Sequence, residues 1–284
     1  MPTVEVNGTT LWYEAFGDGP TCLVMHGGLG LDHALCRPVV ERLAGRLRLV
    51  WYDHRGNGRS GRPPLETLTM EQLADDADAL ARRLGAGPVL VLGWSYGGFV
   101  AQELAVRHPA RVAGLVLVGT TPGQLGATER PGGEQGPPPP AELAGLTGRP
   151  PAVGDEEFAA VMRGFVAYMV HRADPAELTA ALDRTVLDAA AWRRSMEVLA
   201  GWSVVDRLGQ VRVPTLVLAG RHDFLAAPPQ AERIASRIPG AERVVFDHSG
   251  HALTYDEPDR FLAVVGDWLA RHARDRQTMD TAVS

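Results

Sequence analysis

Short apolar runs recur along this chain, and most end in a turn that carries glycine or aspartate. They fall at 4–6, 11–16, 22–25, 47–52, 89–92, 112–118, 215–219 and 243–246. Between them lie segments with apolar residues every three or four positions, at 36–46, 70–84, 97–107, 228–237 and 258–272. Runs this short and this apolar predict strands covered on both faces, and the intervening periodicity predicts amphipathic helices. Such alternation predicts an α/β fold, with a mostly parallel central sheet and helices on both faces. Asn7-Gly8 between the first two runs is a hairpin signal, compatible with an antiparallel N-terminal edge.

The alternation is interrupted once. Residues 131–154 are rich in proline and glycine, and 156–201 carry several helical patterns with no strand-like run between them. An insertion of this kind predicts a helical cap over the carboxyl edge of the sheet. The expected division is a first core part at 1–121, a helical cap at 122–205, a second core part at 206–272 and a polar, disordered tail at 273–284.

Composition narrows the classes of function. The chain has 284 residues, 45% of them hydrophobic and 22% charged, which suits a soluble domain able to bury a large core. A net charge of −6 with no basic run leaves no electrostatic footprint for nucleic acid. The opening MPTVEVNGTTLWYEAFG lacks a charged segment followed by an apolar one, and no apolar run is long enough to span a bilayer. A cytoplasmic protein, with no membrane partner, is expected. Cys22 and Cys36 do not sit in metal-ligand spacings and are read as buried free thiols. All 28 basic residues are arginine. Without a lysine amine there is no Schiff-base aldolase, no lysine-anchored pyridoxal phosphate and no Walker-type phosphate loop. No metal or cofactor is expected, and the expected partner is a small-molecule substrate.

In an open parallel sheet, ligands sit beyond the carboxyl ends of the strands, and the chemistry-bearing residues lie at such ends. Gly93-Trp94-Ser95-Tyr96-Gly97 joins a strand to a helix through a G-x-S-x-G turn that would lift Ser95 into a cleft. A serine hydroxyl needs a base, and the base needs an orienting acid. His251, in DHSGH after the last strand, is the expected base, with His248 as the nearest competitor. Asp223, in GRHD after the preceding strand, is the expected acid, ahead of Asp247 and Asp206. Two backbone N–H groups should meet the developing oxyanion. Tyr96 is one expected donor and Gly28 of HGGLG the other, with Leu29 as the alternative. His26 is read as a brace for that loop, and Asp53 and Arg55 as a pair fixing the glycine turn of DHRGNGRS.

These loops occur in one order: HGG at 26–28, D-x-R-G-x-G-x-S at 53–60, G-x-S-x-G, G-x-x-D at 220–223 and S-G-H at 249–251. Together they resemble the α/β-hydrolase superfamily over about 10–122 and 205–270. HGGLG with YDHRGNGRS is most similar to proline iminopeptidases and their esterase-like relatives, but the elbow departs from the iminopeptidase pattern Gly-Gly-Ser-Trp-Gly. The resemblance implies a capped serine hydrolase with the triad Ser95, Asp223 and His251. The expected reaction is cleavage of a carboxylic ester, thioester or lactone through an acyl-serine. The alternatives are an iminopeptidase-like aminopeptidase, a non-hydrolytic lyase, cyclase or perhydrolase of a biosynthetic pathway, and a receptor without turnover.

The cap region bears on that choice. Asp155, Glu156 and Glu157 at the start of its first helix are placed either to hold a substrate ammonium or to favour the helix N-terminus. Leu29, Trp94, Tyr96, Phe165 and Trp192 are the expected lining of an apolar substrate pocket.

Overall fold

The computed structural model describes residues 2–28, 30–123 and 154–283, with side chains through residue 272. Its strands are β1 (Thr3–Val6), β2 (Thr9–Phe16), β3 (Thr21–Met25), β4 (Arg48–Tyr52), β5 (Val89–Trp94), β6 (Val112–Val118), β7 (Thr215–Gly220) and β8 (Glu242–Phe246). Each matches one apolar run of the sequence within about two residues at either end. They form one sheet in the order β1-β2-β4-β3-β5-β6-β7-β8. The β1–β2 and β2–β4 pairings are antiparallel and all others parallel. Asn7 and Gly8 turn the β1–β2 hairpin with φ of 43° and 75°, the positive pair that matches the twist of the flanking strands.

Every residue of β5 and of β7 is buried. Successive strand side chains point to opposite faces, so both faces of the sheet are covered. The covering helices are α1 (Arg37–Val40), α2 (Met70–Arg83), α3 (Tyr96–Arg107), α4 (Asp155–Val166), α5 (Pro175–Leu182), α6 (Ala189–Gly201), α7 (Pro228–Ala235), α8 (Leu253–Asp256) and α9 (Pro258–Val283). The helical pattern at 36–46 divides into α1 and a 3₁₀ turn at Glu41–Gly45, because the chain must enter β4 at Arg48. α9 continues to Val283, through residues read as a disordered tail; the Ala, Arg, Gln and Met there favour helix.

Between β6 and β7 the described residues are helical, with α4, α5 and α6 and no strand. Residues 124–153, the first part of the expected cap, lie outside the described residues, as does Leu29. Among the described residues no helix is long and apolar enough to cross a membrane. Cys22 and Cys36 are free and buried.

The chain leaves β3 for β4 on one side and returns to β5 on the other. That reversal opens a crevice beyond the carboxyl ends of β3 and β5, where an open α/β sheet binds its ligand.

Candidate active site

Ser95 stands at that crevice. β5 ends at Trp94 and α3 begins at Tyr96, so one residue makes the whole turn. Its φ of 52° and ψ of −113° are conformations that a side chain disfavours. Neighbouring strands hold it there. The Ser95 N–H donates to the Val118 carbonyl at 2.8 Å, and the Thr120 hydroxyl donates to the Ser95 carbonyl at 2.9 Å. Gly97 is needed for closeness, since a Cβ there would run into the Met25 carbonyl oxygen at the end of β3.

Asp223 lies three residues past the end of β7 and is fully buried. One carboxylate oxygen accepts the N–H groups of Leu225 and Ala226 at 2.8 and 2.9 Å, and the other lies 2.8 Å from His251 Nδ1. With Nδ1 turned to a carboxylate held this way, Nδ1 carries the proton and Nε2 is the basic nitrogen. His251 is 1% exposed. Its loop is fixed from three directions. Glu257 accepts the His248 N–H and the Ser249 hydroxyl, Asp256 accepts the Gly250 N–H, and the Ala252 N–H donates to the Met169 carbonyl just after α4. The Trp94 indole donates to the His251 carbonyl at 3.3 Å, tying this loop to the elbow. The competitors stand apart: His248, Asp247 and Asp206 are all exposed, and Asp247 pairs with Arg221.

Ser95 and His251 line one cavity of about 100 Å³. Gly28, Trp94, Tyr96, Phe165 and Trp192 line it too, as the sequence suggests. No described lining residue is charged. Sequence reasoning missed Leu31, Leu35, Met196, Leu199, Phe224 and Leu225 in this wall. Met196 and Leu199 had a usable signal, since they follow Trp192 at i+4 and i+7 on α6.

The loop after β3 is braced as expected. His26 Nδ1 lies 2.9 Å from the Gly27 carbonyl, and its Nε2 accepts the His54 N–H at 3.1 Å. Burial holds His26 below the usual histidine range, against the pull of Asp53. Gly28 has φ of 73°, a turn that favours glycine.

The expected Asp53–Arg55 pair does not form. Arg55 is buried and reaches Asp76 on α2 with a two-pronged contact at 2.6 and 2.8 Å, completed by Thr67 and the Asn7 carbonyl. A buried guanidinium needs several acceptors at once, which Asp76 and its surroundings supply and Asp53 does not. Asp53 instead lies 2.7 Å from His33 Nδ1 and accepts the Arg59 N–H at 2.8 Å. Burial works to raise the Asp53 pKa, but His33, His26 and Arg59 outweigh it and hold the carboxyl below its ordinary range.

Asp32, His33 and Asp53 bring three buried ligand-type atoms within 4.8 Å of one another. Their lone pairs are already engaged. Asp32 accepts the N–H groups of Ala34 and Val186 at 2.8 and 3.0 Å, and Arg59 lies 3.3 Å from its second oxygen. The guanidinium stands where a cation would, so this cluster is a hydrogen-bonded hub. Through Val186, and through the Asp188 N–H donating to the Gly30 carbonyl at 2.9 Å, the hub ties the loop after β3 to the residues that lead into α6.

Known proteins share this fold. The family model for the alpha/beta hydrolase fold matches residues 20–139, which hold the HGG loop and the elbow. The chain belongs to the α/β-hydrolase superfamily. Among relatives in this superfamily, a pimeloyl-[acyl-carrier protein] methyl ester esterase of Nitrosomonas europaea is 29% identical, over 88% of this chain and 96% of its own. The proline iminopeptidase PfmaB of Pestalotiopsis fici is 27% identical, over 94% of this chain and 99% of its own. The crystal structure of the enol-lactonase from Burkholderia xenovorans superposes with a TM-score of 0.76 at 26% identity, covering 95% of this chain and all of that one. Ser95, Asp223 and His251 stand in this chain in the order serine, aspartate, histidine.

Proposed function

We propose that this chain is a serine hydrolase that cleaves a carboxylic ester, thioester or lactone of a small molecule through an acyl-Ser95 intermediate. The observation that carries the reading is the Asp223–His251 contact at 2.8 Å, with His251 and Ser95 in the wall of one cavity.

On this reading each proton has a defined path. His251 Nε2 takes the Ser95 proton as Oγ adds to the substrate carbonyl carbon. The charge that builds on the carbonyl oxygen meets the N–H groups of Tyr96 and Gly28, with the α3 N-terminus adding its positive end. His251 then protonates the departing alkoxide or thiolate. Water, deprotonated by the same nitrogen, attacks the acyl carbon, and Ser95 leaves with its proton restored. Asp223 stays ionised and holds the ring through both halves. The helices α4 to α6, within 122–205, serve as the cap that shields the acyl group from water.

Ester chemistry is favoured over aminopeptidase chemistry by the wall itself. An aminopeptidase must pair the substrate ammonium, and burying that charge unpaired is costly. Asp155, Glu156 and Glu157 are exposed and outside the described lining, and Asp155 accepts the Ala189 N–H. A fluorophosphonate probe should label the wild type and not Ser95→Ala. p-Nitrophenyl butyrate should be turned over by the wild type, with proline p-nitroanilide untouched. Equal ester turnover by wild type and Ser95→Ala would refute the reading.

A further inference from the structure

The link between α4 and α5 lies against both loops that carry Asp223 and His251. The Met169 carbonyl accepts the Ala252 N–H at 2.8 Å, and Met169 and His251 line the same cavity. Gly250 is pressed so close to the link that a Cβ there would meet the Met169 carbonyl oxygen at 2.7 Å. The His171 ring stacks on that of His222, the residue before Asp223, with centroids 3.6 Å apart. Asp256 fastens this link. One of its carboxylate oxygens accepts the N–H groups of His171, Arg172 and Ala173 at 2.9, 2.7 and 2.8 Å. The other accepts the Gly250 N–H at 2.8 Å and shares that of His171 at 2.9 Å.

Local structure does not account for an acid at this position. Asp256 is the last residue of α8, where the free carbonyl ends of a helical turn disfavour negative charge. Its partners do account for it: three consecutive backbone N–H groups turned to one oxygen form a cradle that selects an anion. The next residue, Glu257, makes a contrast. It takes the His248 N–H, the Ser249 hydroxyl and Arg260, all on the core side. We infer that Asp256 is a positioning residue, which uses the cap link as one side of the seat that holds His251. Displacing the link frees Gly250, and His251 follows at the next peptide. The cap then has a task besides covering the acyl group, because it must be docked for the base to be in place. This inference rests on the proposed reading of His251 as the base for its kinetic test alone.

The test compares Asp256→Ala, Asp256→Asn and Glu257→Ala with the wild type. Asp78→Ala controls for lost stability, since Asp78 holds Arg111 at 2.8 Å just ahead of β6, at the amino end of the sheet and away from the cavity. With p-nitrophenyl butyrate, kcat should fall by about 10²-fold in Asp256→Ala while KM stays within about threefold, because a displaced base slows the chemistry and leaves most of the apolar wall in place. Asp256→Asn keeps an oxygen for the cap N–H groups and loses the one for Gly250, so kcat should fall by about tenfold. Amide exchange read by mass spectrometry should speed up at 169–173 and 248–252 together in Asp256→Ala, and at 248–252 alone in Asp256→Asn and Glu257→Ala. The low-field proton resonance of His251 Nδ1–H should broaden in Asp256→Ala and stay sharp in Asp78→Ala. Wild-type kcat in Asp256→Ala, or a raised KM with kcat unchanged, overturns the positioning role. So does faster exchange at 169–173 with 248–252 unchanged, since the carboxylate would then fasten the cap and not the base. An equal fall of kcat in Asp78→Ala overturns it too. Should Asp256→Ala not fold, Asp256→Asn decides, and wild-type kcat there overturns the role. Exchange and resonance are read in a Ser95→Ala background as well. Turnover that survives Ser95→Ala refutes the serine reading, and the seat of His251 then stands or falls on those two readouts.

Discussion

Asp223 meets His251 at 2.8 Å through one carboxylate oxygen, while the other is held by the backbone N–H groups of Leu225 and Ala226. The carboxylate therefore has no freedom to rotate away, and His251 is presented as one tautomer. Asp223→Asn keeps the size of the side chain, but its amide can donate to Nδ1, which moves the ring proton to Nε2 and leaves Ser95 without a base. On the proposed mechanism, kcat/KM for p-nitrophenyl butyrate should fall by about 10³–10⁴-fold. A fall of less than about tenfold would show that Asp223 does not orient the base.

Asp32 joins three segments. Its carboxylate binds the N–H groups of Ala34 and Val186 and the Arg59 guanidinium, and it is fully buried. Asp32→Ala strands those donors, and the expected loss of stability is about 2–4 kcal/mol by urea unfolding. Because Val186 leads into α6 and Asp32 follows the Gly28 turn, kcat/KM should also fall, by about 10–100-fold. Asp32→Asn keeps one acceptor and should fall between the two. Wild-type stability in Asp32→Ala would show that the hub does not hold these segments together.

How much of this was legible in the sequence follows from where each signal comes from. The strands were readable because a strand covered on both faces must be apolar without interruption, as β5 and β7 are. Ser95, Asp223 and His251 were readable because each sits in a turn at a strand's carboxyl end where crowding demands glycine: Gly97 against Met25, Gly220 against Gly250. Pairings of long side chains were not readable. Asp53 and Arg55 are two residues apart, yet one turns to His33 and the other to Asp76 on α2. Proximity in sequence carries no information about which buried charge finds its acceptors across the fold. Phe224 and Leu225 directly follow Asp223 but belong to a turn with no periodicity, so nothing marked them as cavity wall.

Stability should weaken on mild acidification. Burial holds His54 well below the usual histidine range, with His26 beside it, and His26 is itself lowered by burial. Unfolding returns both rings to an ordinary pKa of about 6.5. Above that value neither state binds the extra protons, and the stabilisation is fully present. Below it, the unfolded chain takes up protons that the folded chain refuses, so stability falls by about 1.4 kcal/mol per pH unit for each histidine until the folded rings titrate. Urea midpoints should be flat from about pH 8 to 7 and decline from about pH 6.5 to 5. His54→Phe should shallow that decline. Asp53, held low, works in the same direction at lower pH, its contribution being lost as the pH drops below about 4. Midpoints that rise as the pH drops from 7 to 5 would contradict this account.

The two thiols should report on local opening. Burial pushes both Cys22 and Cys36 up to about 12, so neither forms a thiolate in the folded chain at pH 8. Iodoacetamide should leave both unmodified in the native state and alkylate both in urea, as read by peptide mass spectrometry. Their surroundings differ. Cys22 lies within β3, hydrogen-bonded on both sides by β4 and β5. Cys36 Sγ points to the His33 carbonyl, in the turn that Asp32 caps. Asp32→Ala should therefore speed alkylation of Cys36 under native conditions while Cys22 stays protected until global unfolding. Equal acceleration at both sites would mean that the substitution acts by destabilising the whole sheet, and no acceleration at Cys36 would mean that its turn holds without Asp32.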